Sequence, residues 1–153
     1  MEWMIDGLPL HPLMVHAAVV LLAANGMALL GSILVPPLRR WLGWGLPLLG
    51  VVTAVTTWVT KMAGENLLGN AEPVGALADH THWGGWAGVV AIVLGVTTVV
   101  YWFVVSPRLG GRVSWLSATP TRVVVSVLAA GVAVAALAVD FLAGHSGATS
   151  VWG

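Results

Sequence analysis

Residues 11–37 read HPLMVHAAVVLLAANGMALLGSILVPP, and this stretch decides the class of fold. Its segment 12–35 carries no Asp, Glu, Lys or Arg and is long enough for a helix across about 30 Å of hydrocarbon. Two consecutive prolines follow, and they cannot continue that helix. Two histidines, His11 and His16, stand at its beginning. The stretch therefore predicts a membrane helix that starts beside two titratable rings.

The composition of the whole chain points to the same environment. The 153 residues are 58% hydrophobic and 8% charged, whereas soluble domains carry about 25% charged residues. The formal net charge is zero, so we expect no nucleic-acid partner. The absence of cysteine excludes disulfides, thiolate metal sites and iron–sulfur clusters. The first ten residues contain no basic stretch, so no cleavable signal peptide is expected. We expect an integral membrane protein embedded in a lipid bilayer.

Four apolar runs are long enough to cross a membrane, at residues 12–35, 46–63, 83–105 and 122–143. Continuous runs of this length fit helices better than the alternating strands of a barrel. Gly144 is expected to end the fourth helix as a C-terminal cap. The sequence therefore predicts an all-α integral membrane four-helix bundle, formed by one transmembrane domain over residues 1–153.

The basic residues predict the orientation of this bundle. Five of the six lie between the first and second spans, or between the third and fourth spans and at their ends: Arg39, Arg40, Arg108, Arg112 and Arg122. The positive-inside rule makes that side cytoplasmic, so the N- and C-termini are extracytoplasmic. All five histidines then fall at the extracytoplasmic end: His11, His16, His80, His82 and His145.

The first two histidines have different expected roles. Pro12 suits the first helical position, which makes His11 the cap just outside the helix. His16 then lies one turn inside, and five helical positions would separate the two rings by about 140°. They cannot chelate one ion as a pair four residues apart does. We therefore expect His16 to be buried and His11 to lie at the rim.

Other polar residues within the spans are candidates for function. Lys61 and Glu65 are four residues apart on one helical face, and Asp140 lies one turn inside the outer end of the fourth span. Ionisable groups at such depth are usually functional or paired. Alternatively, Lys61 extends to the interface and Glu65 only pairs with it. Asn25, in the middle of the first span, predicts an interhelical hydrogen bond.

Four segments in order carry a family resemblance: GLPLHPLMVHAAVVLL, TTWVTKMAGENL, ADHTHWGG and GHSGATSVW. The chain resembles the actinobacterial branch of the bacterial membrane family catalogued as domain of unknown function 2231. The resemblance implies four transmembrane helices, a multi-pass place in the bacterial inner membrane, and no established activity. Some members appear joined to redox domains of the Rieske type, which suggests electron transfer. The matching positions are His11, Pro12, Val15, His16, Ala63, Gly64, Glu65, His80, Gly144, His145, Ser146, Gly147, Ala148, Val151 and Trp152.

A b-type haem protein for electron transfer is the first functional hypothesis. Four-helix bundles build cofactor sites between facing helices, and histidine is a common axial ligand of haem. The expected ligands are His16 on the first helix and His80 or His145 from another helix.

Two alternatives remain open. The first is a non-haem site for a divalent transition metal such as zinc, copper or iron, with ligands His11, His16, Glu65, His80 and His145. The second is a non-catalytic accessory subunit of a respiratory or other membrane complex. The expected partners are a larger membrane complex or further copies of the chain in a homo-oligomer. The sequence assigns no catalytic residue, and it leaves open whether the protein is an enzyme.

Overall fold

The computed structural model describes residues 3–70, 72–106, 115 and 118–152, and most of them are helical. A short hairpin of strands β1 (Met4–Ile5) and β2 (Leu8–Pro9) precedes the helices. Four helices are long and apolar enough to cross a membrane, which confirms the all-α four-helix membrane bundle. The helices are α1 (Leu10–Leu34), α2 (Pro36–Leu42), α3 (Gly45–Leu68), α4 (Ala76–Val105) and α5 (Thr119–Trp152).

The hairpin fixes the start of α1 and is not predicted by the apolar pattern. Its turn places Asp6 and Gly7 at positive φ, 49° and 79°, as Asp-Gly hairpin turns do. The backbone N–H of Leu10 donates to the Trp3 carbonyl at 2.9 Å. The Trp3 N–H in turn donates to Oδ1 of Asn66, also at 2.9 Å. The hairpin therefore ties the beginning of α1 to the end of α3.

The four long helices form a closed ring in the order α1, α3, α4, α5, with α5 packed against α1. Neighbours in this ring run antiparallel, and α1 faces α4 across a diagonal. We call the end that carries Leu10, Leu68, Ala76 and Trp152 the outer end. All five histidines lie in the outer half of the bundle, as the sequence predicts.

The opposite end carries α2, with Arg39 and Arg40 in its last turn. Arg108 and Arg112, which also support the predicted orientation, lie outside the described residues. With the outer end taken as extracytoplasmic, the end of α3, the start of α4 and both ends of the described chain lie on the same side. That assignment stays a prediction from the positive-inside rule.

Small residues bring the helices close together. A Cβ on Gly95 would lie 2.6 Å from the Gly50 carbonyl oxygen, so α3 and α4 cross in backbone contact there. On α5, the alanines that face the core are fully buried, namely Ala129, Ala133 and Ala136. Membrane helices lack a hydrophobic driving force between them and instead gain from such close packing. The core is consequently narrow, and a side chain that enters it must fit a defined space.

The outer helix boundaries differ from those predicted. Helix α4 begins at Ala76 rather than near residue 83, so His80 and His82 belong to the helix. Helix α5 continues past Gly144 to Trp152, and the expected cap at Gly144 is wrong. The buried Ser146 packs inside the bundle, and such tertiary packing overrides the weak helix preference of glycine. Hydropathy marks only the part that lipid covers, and these helices extend beyond it.

The expectation that His11 caps α1 is also wrong. The helix begins at Leu10, directly after strand β2, which places His11 within the first turn. Pro12 still lies in that first turn, where a missing N–H costs no hydrogen bond. As a result His11 and His16 are both helical and point in directions about 140° apart.

Candidate functional site

His11 is half-buried at the outer end, and its ring is held by α3. Its Nδ1 atom lies 2.9 Å from the carbonyl oxygen of Thr60. With the proton on Nδ1, the ring donates to this carbonyl and leaves Nε2 as the acceptor. The ring also lies against Gly64, where an added Cβ would be 2.8 Å from Nδ1. Glycine at this position is what lets the ring approach the backbone of α3.

His80 occupies the corresponding place on α4 and is also half-buried. Its ring lies against Gly147 of α5, where an added Cβ would be 3.2 Å from Nδ1 and 3.1 Å from Cε1. The backbone of Ala143 also interacts with the ring. Nδ1 is buried and has no hydrogen-bond partner of ordinary geometry among the described residues. The position of the His80 ring therefore depends on two small residues of α5, Ala143 and Gly147.

The two rings meet across the diagonal between α1 and α4. Their centroids are 6.1 Å apart and their planes make an angle of 67°. Neither Nε2 atom forms a hydrogen bond within the described part of the chain. We call His11 and His80 the histidine pair. It is held from two sides, by Thr60 and Gly64 on α3 and by Gly147 on α5.

Lys61 follows Thr60 in the chain and packs on the α4 side of α3. Its ammonium forms an ion pair with Glu65 and lies 5.0 Å from the centre of the Trp58 ring. Its aliphatic stem packs on Gly88, where an added Cβ would be 2.5 Å from Cδ. The lysine side chain is 18% exposed and the glutamate 62%. Glu65 therefore points outward and pairs with Lys61, as the alternative interpretation of these two residues expects.

The structure does not bring the other predicted ligands to the histidine pair. His16 is exposed on the outer surface of α1, so the expectation that it is the buried histidine is wrong. His145 is also exposed and stacks on Phe141 with ring centroids 6.1 Å apart. His82 is exposed and contacts Trp83 edge to face. The rotation of each helix about its axis explains these positions. On α1, for example, His16 points about 140° away from His11, which faces the interior.

The five-residue metal site expected from the sequence is not assembled. Among the described residues, no three histidines or carboxylates converge to hold one ion. His16 and His145 face outward, and Glu65 is engaged by Lys61. Of the five expected ligands, only His11 and His80 face each other.

Polar contacts deeper in the bundle are structural. Oδ1 of Asn25 accepts a hydrogen bond from Oγ1 of Thr98 on α4 at 3.3 Å, which confirms the predicted interhelical bond. The Tyr101 hydroxyl donates to the Ser32 carbonyl at 3.0 Å and ties α4 to α1 near the inner end. These bonds satisfy polar groups that lipid could not satisfy.

Asp140 is the one buried carboxylate of the described residues, and it faces a different part of the molecule. It is 7% exposed and forms no hydrogen bond or ion pair with any described residue. It lines an open groove between α1 and α5, and not the histidine pair.

The sequence interpretation assigned no role to Thr60, Gly64 or Gly147. The two glycines lie inside the quoted segments, in AGEN and GHSG. A glycine close to the histidine-rich end of the bundle is the sequence feature from which these contacts could have been predicted. The Thr60 carbonyl leaves no signal in the sequence, because any residue presents the same backbone group.

No family model, no curated protein and no solved structure matches this chain. The resemblance to the domain-of-unknown-function family therefore stays a prediction. The function has to be argued from the site itself.

Proposed function

We propose that the protein is a b-type haem protein of the bacterial inner membrane, in which His11 and His80 would hold the haem iron. The observation that carries this proposal is the distance between the two rings, 6.1 Å across the bundle diagonal. Haem bound there would supply one-electron redox chemistry near the extracytoplasmic face. The protein would then carry electrons to or from a partner on that side of the membrane.

The spacing of the rings supports ligation of one ion by both. Metal–nitrogen bonds of about 2.0–2.1 Å put two imidazole centres on opposite sides of an ion roughly 6 Å apart. The angle of 67° between the ring planes is compatible with this, because each ring turns freely about its own metal–nitrogen bond.

The hydrogen bonding of the rings supports the same role. A ligating histidine usually donates its second N–H to a carbonyl or carboxylate, which fixes the ring and the tautomer. Nδ1 of His11 faces the Thr60 carbonyl at 2.9 Å. Nδ1 of His80 is buried on the α5 side. These contacts leave Nε2 of each ring for a ligand.

The residues around the pair leave room on one side. Gly84 lies one turn further along α4 from His80, and a Cβ there would meet nothing within 4 Å. Lys61 is the one basic residue of α3 and pairs with Glu65, so it is the residue of this helix that would bind a propionate in exchange for Glu65. A flat macrocycle would therefore have to enter beside Gly84.

A bare metal ion is the second candidate, and a specific observation favours it. Two grooves formed by the described residues, one between α1 and α5 and one between α3 and α4, are lined by neither His11 nor His80. An ion such as Cu²⁺ or Zn²⁺ needs no cavity, since imidazole suits both metals. Water would complete its coordination.

Visible spectra of the detergent-purified protein test the proposal, first oxidised and then reduced with dithionite. Haem gives a Soret band that sharpens on reduction, with α and β bands. We expect His11→Ala and His80→Ala to abolish the band. The matched controls His16→Ala and His145→Ala remove exposed imidazoles and should retain it.

The other outcomes distinguish the alternatives. A flat visible spectrum with one equivalent of metal, lost in the same two variants, would replace haem by a bare ion. A band that survives in both His11→Ala and His80→Ala would refute the assignment of ligands. Absence of both haem and metal, together with co-purification of a larger complex, would favour the accessory-subunit hypothesis.

A further inference from the structure

A groove between α1 and α5 lies apart from the histidine pair. It has a volume of about 460 Å³ and opens to the outside of the bundle. The described residues that line it are Val19, Ala23, Leu137, Asp140, Phe141, Gly144 and His145. A second groove of about 260 Å³ between α3 and α4 has a wholly apolar lining. Only the first groove therefore offers a charged group to a ligand.

Asp140 is a buried carboxylate that the fold leaves without a partner. Its residue is 7% exposed, and within the described chain no donor reaches it. A buried carboxyl group without a hydrogen bond or counter-ion is costly, above all at membrane depth. An ionised carboxylate only accepts hydrogen bonds. The described residues supply no donor to this carboxyl group, so the groove can accept one from a ligand.

The position of the groove limits what this donor can belong to. Asp140 lies within the fourth apolar run, about one turn inside its outer end, and the neighbouring Phe141 is 71% exposed. A molecule that enters here arrives from the bilayer and must be soluble in lipid. A neutral hydroxyl suits the apolar walls better than a permanent cation, which would lose its hydration.

Two aromatic rings form one side of the groove. Phe141 and His145 are one turn apart on α5 and stack with their planes 4° from parallel. Flat rings gain from offset or edge contacts with such a surface. The lining thus combines a hydrogen-bond acceptor with an aromatic wall.

We propose that this groove binds the head group of a lipid-soluble hydroxylated ring of the quinol class, with a ring hydroxyl donating to Asp140. The apolar tail of the ligand lies along α1 and α5 in the lipid. The groove lining includes neither histidine of the pair and none of Thr60, Gly64 and Gly147, which hold the pair. Binding therefore does not require haem or a metal.

Equilibrium dialysis of the full-length protein in detergent tests this proposal with decylubiquinol, kept reduced under argon. A second probe is the same molecule with both ring hydroxyls methylated, which cannot donate. We expect the wild-type protein to bind the quinol at least tenfold more tightly than the methylated probe. Asp140→Leu should lower quinol affinity at least tenfold and abolish this preference.

A second pair of variants separates the groove from the rest of the surface. Ala23→Phe fills the groove and should also lower quinol affinity at least tenfold. The matched control Val55→Phe adds the same bulk to the α3–α4 groove and should leave affinity within twofold. The same measurements on His80→Ala show whether binding survives the loss of the histidine pair, and we expect that it does.

Three results would overturn the proposal. Equal binding of the quinol and its methylated form by the wild-type protein would exclude a hydroxyl contact. A phosphatidylethanolamine molecule retained in the wild-type protein but lost in Asp140→Leu, by native mass spectrometry, would assign the groove to a lipid ammonium. A dimer by light scattering that dissociates in Ala23→Phe would assign it to a second copy of the chain.

Discussion

Alanine in place of Gly64 tests how closely α3 holds the ring of His11. The added Cβ would lie 2.8 Å from Nδ1 and 3.0 Å from Cε1 of that ring. These distances are shorter than unbonded atoms of this kind tolerate, so the ring has to move. Any movement away from α3 lengthens the 2.9 Å hydrogen bond between His11 and the Thr60 carbonyl.

Three effects determine the expected change in the free energy of unfolding. An extra methyl group in a packed site costs about 1–3 kcal/mol. Loss of one hydrogen bond costs about 0.5–1.5 kcal/mol. Alanine recovers about 1 kcal/mol because it favours the helix more than glycine does. We expect Gly64→Ala to destabilise the protein by about 2 kcal/mol.

Chemical denaturation in detergent micelles, followed by tryptophan fluorescence, measures this change. Gly131→Ala is the matched control, because Gly131 is helical and exposed and its added Cβ would meet nothing within 4 Å. The control should be as stable as the wild type, or more stable by up to about 1 kcal/mol. Gly147→Ala should fall between the two, since its Cβ would lie 3.1 Å from the His80 ring. If Gly64→Ala and Gly131→Ala unfold alike, the ring of His11 does not lie where we place it.

Three further substitutions test the packing of the bundle by the same denaturation assay. Gly95→Ala should destabilise by about 1–3 kcal/mol, because the new Cβ would lie 2.6 Å from the Gly50 carbonyl oxygen; an unchanged midpoint would contradict the close crossing of α3 and α4. Tyr101→Phe removes the 3.0 Å bond to the Ser32 carbonyl and should cost about 0.5–1.5 kcal/mol, and a neutral result would show that water replaces the bond. Asn25→Leu removes a buried amide whose Nδ2 has no partner among the described residues, so we expect a loss below about 1 kcal/mol; a larger loss would mean that the amide is better satisfied than we infer.

The apolar pattern predicts the number of spans because burial in lipid needs continuous apolar surface. It predicts their outer ends less well. Helix α5 has 34 residues and α4 has 30, which exceed the length needed for about 30 Å of hydrocarbon. The parts beyond the lipid, such as residues 144–152, are held by contacts with neighbouring helices. Those contacts leave no mark on hydropathy.

The choice between His11 and His16 shows why the site is harder to predict than the fold. The two rings point in directions about 140° apart, so at most one of them can face the bundle interior. Beyond its first turns α1 is polar only at Asn25 and Ser32. They lie 14 and 21 residues after His11, on nearly the same helical face, and this weak signal favours His11. The rotation of α1 is set by contacts such as the hydrogen bond between His11 and Thr60. His80 is among the predicted ligands and faces His11 in the bundle interior, but its role as a ligand stays a prediction.

The histidine pair joins two halves of the chain. Helices α1 and α3 pack together and bring His11 against Gly64, while α4 and α5 pack together and bring His80 against Gly147. In each half a histidine from the first helix rests on a glycine from the second. The two imidazoles meet only when the halves dock, across the diagonal of the ring. A ligand that binds both rings binds the docked state alone, and it stabilises that state in proportion to its concentration and affinity. Occupation of the pair should therefore stabilise the whole bundle, including contacts such as Gly50–Gly95 that lie far from it.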